Sequence, residues 1–191
     1  MAIGSYHVVE KTFRDYADDI EGVNIHYLVT PLDEVPDWAG QRATRFMPLS
    51  ADRLRRKSLK LPIVIHCRDA FDQVFEVLQQ EQGEDLRGIF HCFTGTIEQA
   101  RQVIDLGFYL GIGGVVTYKN SGLDKVAEQV DLKHIVLETD SPYLTPVPYR
   151  GKPNESSYLI YVAQKVADLH QTDLETVAAI TTENSKKVFG V

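Results

Sequence analysis

The chain has 191 residues, 43% hydrophobic and 25% charged, the composition of one globular domain able to bury a sizeable core. Its net charge of -7, from 20 basic and 27 acidic residues, excludes a broadly basic surface that coats DNA by releasing counterions. No apolar run approaches the roughly 20 residues that span a bilayer, and the first residues lack the basic and apolar regions of a secretion signal, so a cytoplasmic protein with no membrane partner is expected.

Residues 1 to 60 form an atypical segment. "VNIHYLVT" at 23 to 30 reads as a strand, but Pro31, Pro36 and Pro48 interrupt any clean alternation of strand and helix. Arg53, Arg55, Arg56, Lys57 and Lys60 form a basic cluster that reads as a solvated face. A second region, 61 to 191, alternates regularly. "LPIVIH" is a strand, followed by an amphipathic helix from about Asp69 to Gln80 with Phe71, Val74, Phe75 and Leu78 on one face. "GIFHCF" is the next strand, and Thr96 with Gln99 forms a capping-box start for a helix carrying Ile97, Ala100, Val103 and Ile104. "FYLGIGG" precedes a short helix with Leu123, Val126, Ala127 and Val130; "HIVLETD" precedes a loop holding Pro142, Pro146, Pro148 and Pro153. One closing helix is expected to start near Asn154 and another at the capping pair Thr172 and Glu175. Short apolar strands interleaved with helices predict an α/β fold built of parallel βαβ units.

In such folds the carboxyl ends of the strands face the site. His66, His91 and Asp140 all stand at strand ends. Singly, each has a plain structural reading as a bonded core histidine or a turn cap. Together, two imidazoles and a carboxylate make a ligand set for a divalent metal, with positions left for water and substrate. Strand alternation puts Glu138 on the same side as Asp140, one layer deeper, either orienting a ligand or satisfying a buried donor. The same alternation turns Cys67 and Cys92 away from the histidine side, so neither is expected as a joint ligand; two isolated cysteines also argue against a disulfide framework. Arg68, Arg150 and Lys152 offer charge to a phosphate near the rim, against the plainer reading of surface salt bridges. His134 and His170 read as structural. Gly111, Gly113 and Gly114 are a weak nucleotide fingerprint, because no clear phosphate-cradling helix follows.

"PIVIHCRDA", "GIFHCFTGT", "FYLGIGGVVT", "LETDSPYLTPVPYRGKPNE" and "TTENSKKVFG" resemble, in order and spacing, the TatD family of metal-dependent deoxyribonucleases over residues 61 to 191. The resemblance implies a TIM-barrel-like (β/α) hydrolase, a two-metal centre of Zn, Mg or Mn type, and DNA as substrate, trimmed from a strand end. By motif, His66, His91 and Asp140 match metal ligands, and Asp140 also matches the group that takes the water proton. The first third departs: no His-x-His pair occurs anywhere, and "AIGS" puts Ser5 where the family motif carries a bridging glutamate. An amino-terminally truncated member is the expectation, with only about the last four βα units recognisable, since a full barrel takes about 250 residues.

Two physical consequences follow from that departure. Exposed strand edges and a bare apolar interior are expected to drive self-association. His66, His91 and Asp140 return one negative charge, too little to hold two close dications, so at most one tightly held metal is expected. The readings left open are a DNA phosphodiesterase, a catalytically impaired remnant that binds at most a metal or a partner, and a metal hydrolase of ester or amide substrates.

Overall fold

The computed structural model of the protein describes residues 25–29, 62–80, 83 and 86–190. The basic cluster at 53 to 60 and Ser5 lie outside them. Among the described residues five parallel strands stand side by side in chain order: β1 (Ile25–Val29), β2 (Ile63–Cys67), β3 (Gly88–His91), β4 (Tyr109–Ile112) and β5 (Ile135–Leu137). Parallel neighbours need crossovers, and α1 (Phe71–Gln80), α2 (Ile97–Asp105) and α3 (Leu123–Gln129) supply those from β2 onward. Two further helices, α4 (Leu159–Leu169) and α5 (Leu174–Phe189), close the chain. The strand read in "VNIHYLVT" is β1, paired in register with β2.

Alternation along the strands separates two apolar groups. On the helix-facing side, Ile65, Phe90, Leu110 and Ile135 pack with Val74 and Leu78 of α1, Val103 of α2, Ala127 of α3 and Val166 of α4 in the main core. On the other side Val64, Ile89 and Val136 form a smaller cluster with Val188, against which Tyr109 and Phe189 pack. The second side corresponds to the interior of a barrel, making the fold α/β and TIM-barrel-like. A bare apolar interior was expected of an incomplete barrel. Val64, Ile89 and Val136 are instead buried, because the end of α5 folds across them.

Local chemistry adjusts several expected boundaries. The capping box is present as read: Thr96 accepts from the Gln99 backbone N–H while Gln99 accepts from that of Thr96. The helix expected from Asp69 begins at Phe71, because Asp69 has a left-handed backbone, φ 52°. Asn154 starts no helix. It is buried, its amide donating to the Thr139 and Tyr143 carbonyls at 2.6 Å each, and a 3-10 turn at Ser156–Tyr158 leads into α4. At α5 the cap is Asp173, whose carboxylate accepts from the Thr176 N–H at 2.6 Å, in place of Thr172. His170 is structural as expected, its Nε2 lying 3.0 Å from the Ala127 carbonyl oxygen. Among the described residues no helix is long and apolar enough to cross a membrane.

The buried Asn184 of α5 donates to the Leu132 and Ile135 carbonyls at 2.8 Å each, tying the last helix to the entry of β5. Replacing it with leucine strands both acceptors. Asn184→Leu is expected to lower stability by about 2 kcal/mol in urea denaturation; an unchanged midpoint would contradict this role.

Candidate metal centre

The register pairs His66 with His91 across β2 and β3. Each follows an inner-face residue by two positions, Val64 and Ile89, so both imidazoles stand on the inner face, with ring centroids 5.6 Å apart. Beyond Leu137 the chain stays extended for one more residue, since the Glu138 N–H donates to the Ile112 carbonyl at 3.1 Å. Glu138 therefore shares the face of Val136. Its carboxylate accepts from His91 Nδ1 at 2.8 Å with one oxygen and from the Cys92 N–H at 2.6 Å with the other. That engagement fixes the ring and leaves His91 Nε2 facing Asp140 Oδ1 at 3.5 Å.

Gly111 makes this geometry possible. A Cβ there would stand 2.5 Å from Glu138 Oε2, and one on Gly114 would collide with the Leu144 carbonyl of the rim loop. The glycine run is a steric device for seating Glu138 and the loop that follows it. That loop is itself fastened. Asn154 holds the carbonyls on either side of Asp140, the Tyr143 N–H donates to the Asp140 carbonyl at 2.8 Å, and Asp140 takes a left-handed φ of 53°. Ser141 Oγ, next in the chain, is buried without a hydrogen-bond partner among the described residues.

Cys67 behaves as alternation requires, packing against the main core on the helix side. Cys92 does not. β3 ends at His91, and Cys92 adopts φ 50°, which breaks the alternation and swings its side chain back toward the site. A ring nitrogen of His91, Cys92 Sγ and an Asp140 carboxylate oxygen all lie within 4.8 Å of one another. The expectation that Cys92 points away is thus corrected. No sequence signal marks a left-handed cysteine, since this conformation normally falls to Gly or Asn.

The expected phosphate-binding cations have other neighbours. Arg68 is 78% exposed, with Nε 3.9 Å from the Asp69 carboxylate. The Arg150 guanidinium lies 3.9 Å from the Tyr118 ring centroid, and Lys152 Nζ 5.6 Å from that of Tyr149. A cavity of about 370 Å³, not foreseen from sequence, adjoins His91 and is lined by Phe71, Phe90, Phe93, Gln73 and Gln99 among others.

The two histidines are electrostatically unlike. Burial, with the neighbouring His91, brings His66 down to about 4, Asp140 opposing. Burial also disfavours charge on His91, but the Asp140 and Glu138 carboxylates outweigh it and hold the imidazolium up to about 10. Burial pushes the Cys92 thiol up, and the same two carboxylates add to it. Without a metal, near neutral pH, His91 carries the positive charge that the carboxylates require while His66 is neutral.

The residues fit a divalent cation. A histidine that gives Nδ1–H to a carboxylate and presents Nε2 outward has the arrangement of a metal ligand with its orienting partner. The 3.5 Å from Nε2 to Asp140 Oδ1 is close to the separation of about 3.3 Å between two N or O ligands of one tetrahedral ion. Parallel strands delivering imidazoles and carboxylates to one rim define a hydrolase-type α/β centre. The family model described as "TatD related DNase" matches residues 55–190, and the chain belongs to that family.

A metal-dependent hydrolase of Bacillus subtilis, YabD, is 46% identical over 136 residues, covering 71% of this chain and 53% of that protein. Its Escherichia coli counterpart YcfH is 39% identical over 136 residues, covering 71% and 51%. A protein of Citrobacter rodentium named "3'-5' ssDNA/RNA exonuclease TatD" is 32% identical over 139 residues, covering 70% and 53%. The chain therefore spans about half the length of the curated relatives it matches. In fold it is similar to the crystal structure of the E. coli TatD homologue YjjV, with a TM-score of 0.74 at 21% identity, covering 97% of this chain and 70% of that one.

The histidine asymmetry makes a signed prediction for the metal-free protein. His91 is raised from 6.5 to about 10, so its contribution to stability is fully present below pH 6.5 and lost as pH climbs toward 10. The destabilisation caused by His91→Asn is expected to be largest near pH 6 and to shrink steadily between about pH 6.5 and 10 in urea titrations. A pH-independent difference would contradict the assignment.

Proposed function

We propose that the chain is a metal-dependent phosphodiesterase acting on DNA, with His66, His91 and Asp140 holding one divalent ion per chain. The observation that carries this reading is the His91–Asp140 pair, with Glu138 behind His91. The family and the exonuclease name of the Citrobacter relative favour nucleic acid over ester or amide substrates. An ion held there would supply Lewis-acid polarisation of a phosphoryl oxygen and acidification of water.

The remaining roles fall to the chain's own groups. Asp140, 27% exposed at the rim, accepts the proton of the attacking water, while Glu138 keeps Nε2 of His91 aimed at the centre and does not touch substrate. Arg68, held among the described residues by one long contact to Asp69, turns toward a phosphate. Arg150 and Lys152 sit on the fastened rim loop and meet the nucleic-acid backbone farther from the scissile bond. An acidic chain that binds DNA through so few cations recognises a strand end or short segment, in keeping with end-trimming.

The test is metal-dependent release of nucleotides from 5'-labelled single-stranded DNA. His91→Ala and Asp140→Asn are expected to reduce kcat by about a hundredfold or more; Arg68→Ala is expected to act mainly on KM. No turnover of DNA, with hydrolysis of a carboxylic ester or amide instead, would move the assignment to that substrate class. No turnover of any of these would leave a metal-binding remnant. Self-association of an incomplete barrel is part of the same reading, with a second copy of the chain as partner. Light scattering is expected to show a dimer or larger, and a monodisperse monomer would overturn that assignment.

A further inference from the structure

The metal reading leaves Cys92 unused, although the backbone makes a left-handed turn to bring its sulfur to the site. We propose that Cys92 Sγ is a further protein ligand beside His91 and Asp140, so that the centre has thiolate character and takes a borderline-soft dication of the zinc type in preference to magnesium or manganese. The proposal rests on the reading of the strand ends as a metal centre.

Two observations carry it. The candidate donor atoms of His91, Cys92 and Asp140 already lie within 4.8 Å of one another, and bonds of about 2.0–2.3 Å to a common ion require them to close by only about an ångström. The Cys92 N–H is anchored on Glu138 at 2.6 Å, the same carboxylate that orients His91, so one side chain sets the position of both donors. On ligation the Cys92 S–H and His91 Nε2–H bonds are broken, the sulfur and nitrogen pairs go to the metal and both protons to solvent. Soft sulfur donors select zinc over the oxygen-seeking magnesium and manganese.

Cobalt(II), a spectroscopic stand-in for zinc, tests this on the full chain. Metal-free wild type, Cys92→Ser and Cys67→Ser are loaded with cobalt(II) and their near-ultraviolet spectra compared. Wild type and Cys67→Ser are expected to show a thiolate-to-cobalt charge-transfer band that Cys92→Ser lacks. Cys92→Ser is also expected to bind zinc about tenfold or more weakly, with its metal-free thermal midpoint as the check on folding. Bound cobalt without the band in wild type would overturn the proposal, leaving Cys92 a neutral thiol hydrogen-bonded to Glu138. Failure of wild type to bind cobalt at all would overturn the metal centre itself, so the two failures are told apart.

Discussion

The carboxylate of Glu138 is the interaction on which the site depends. It reaches from the end of β5 across β4 to the end of β3, takes His91 Nδ1 with one oxygen and the Cys92 N–H with the other, and lies over a glycine because no side chain fits beneath it. A 14%-exposed carboxylate is tolerated because both oxygens are satisfied by donors, one from a positively charged ring. Without it, nothing described here would set the orientation of the imidazole, and the left-handed turn at Cys92 would lose its anchor.

The parallel sheet makes this arrangement available. Register between β2 and β3 places His66 level with His91, and the pleat puts both on the face opposite the helices. The rim loop then brings Asp140 back over the ring, held by the buried amide of Asn154 at the carbonyls of Thr139 and Tyr143. The centre is thus fixed by backbone bonds and one carboxylate on rigid elements, the condition under which ligand geometry is preorganised.

Much of this was legible in the sequence. Apolar runs ending in His66 and His91 announced two strand ends and period-two alternation placed Glu138 beside them, whereas Asp140, expected at a third strand end, stands in the rim loop beyond β5 with a left-handed backbone. Alternation failed one residue later, at Cys92, because it holds only while the strand continues; β3 stops at His91 and the next residue turns left-handed. The bridging role of Asn154 was missed for a related reason. A bridging side chain is recognised by the carbonyls it meets, and those of Thr139 and Tyr143 lie 15 and 11 residues away in the chain. The glycines were noticed, but their reason, a carboxylate arriving from the neighbouring strand, was a matter of tertiary structure.

The central claim, that these strand ends hold a metal, is most directly tested by elemental mass spectrometry on the wild-type chain and on the His66→Ala, His91→Ala double variant, both purified without added metal or chelator. The account predicts about one divalent ion per chain in wild type and essentially none in the variant. Equal metal in both, or none in wild type even after loading, would contradict it.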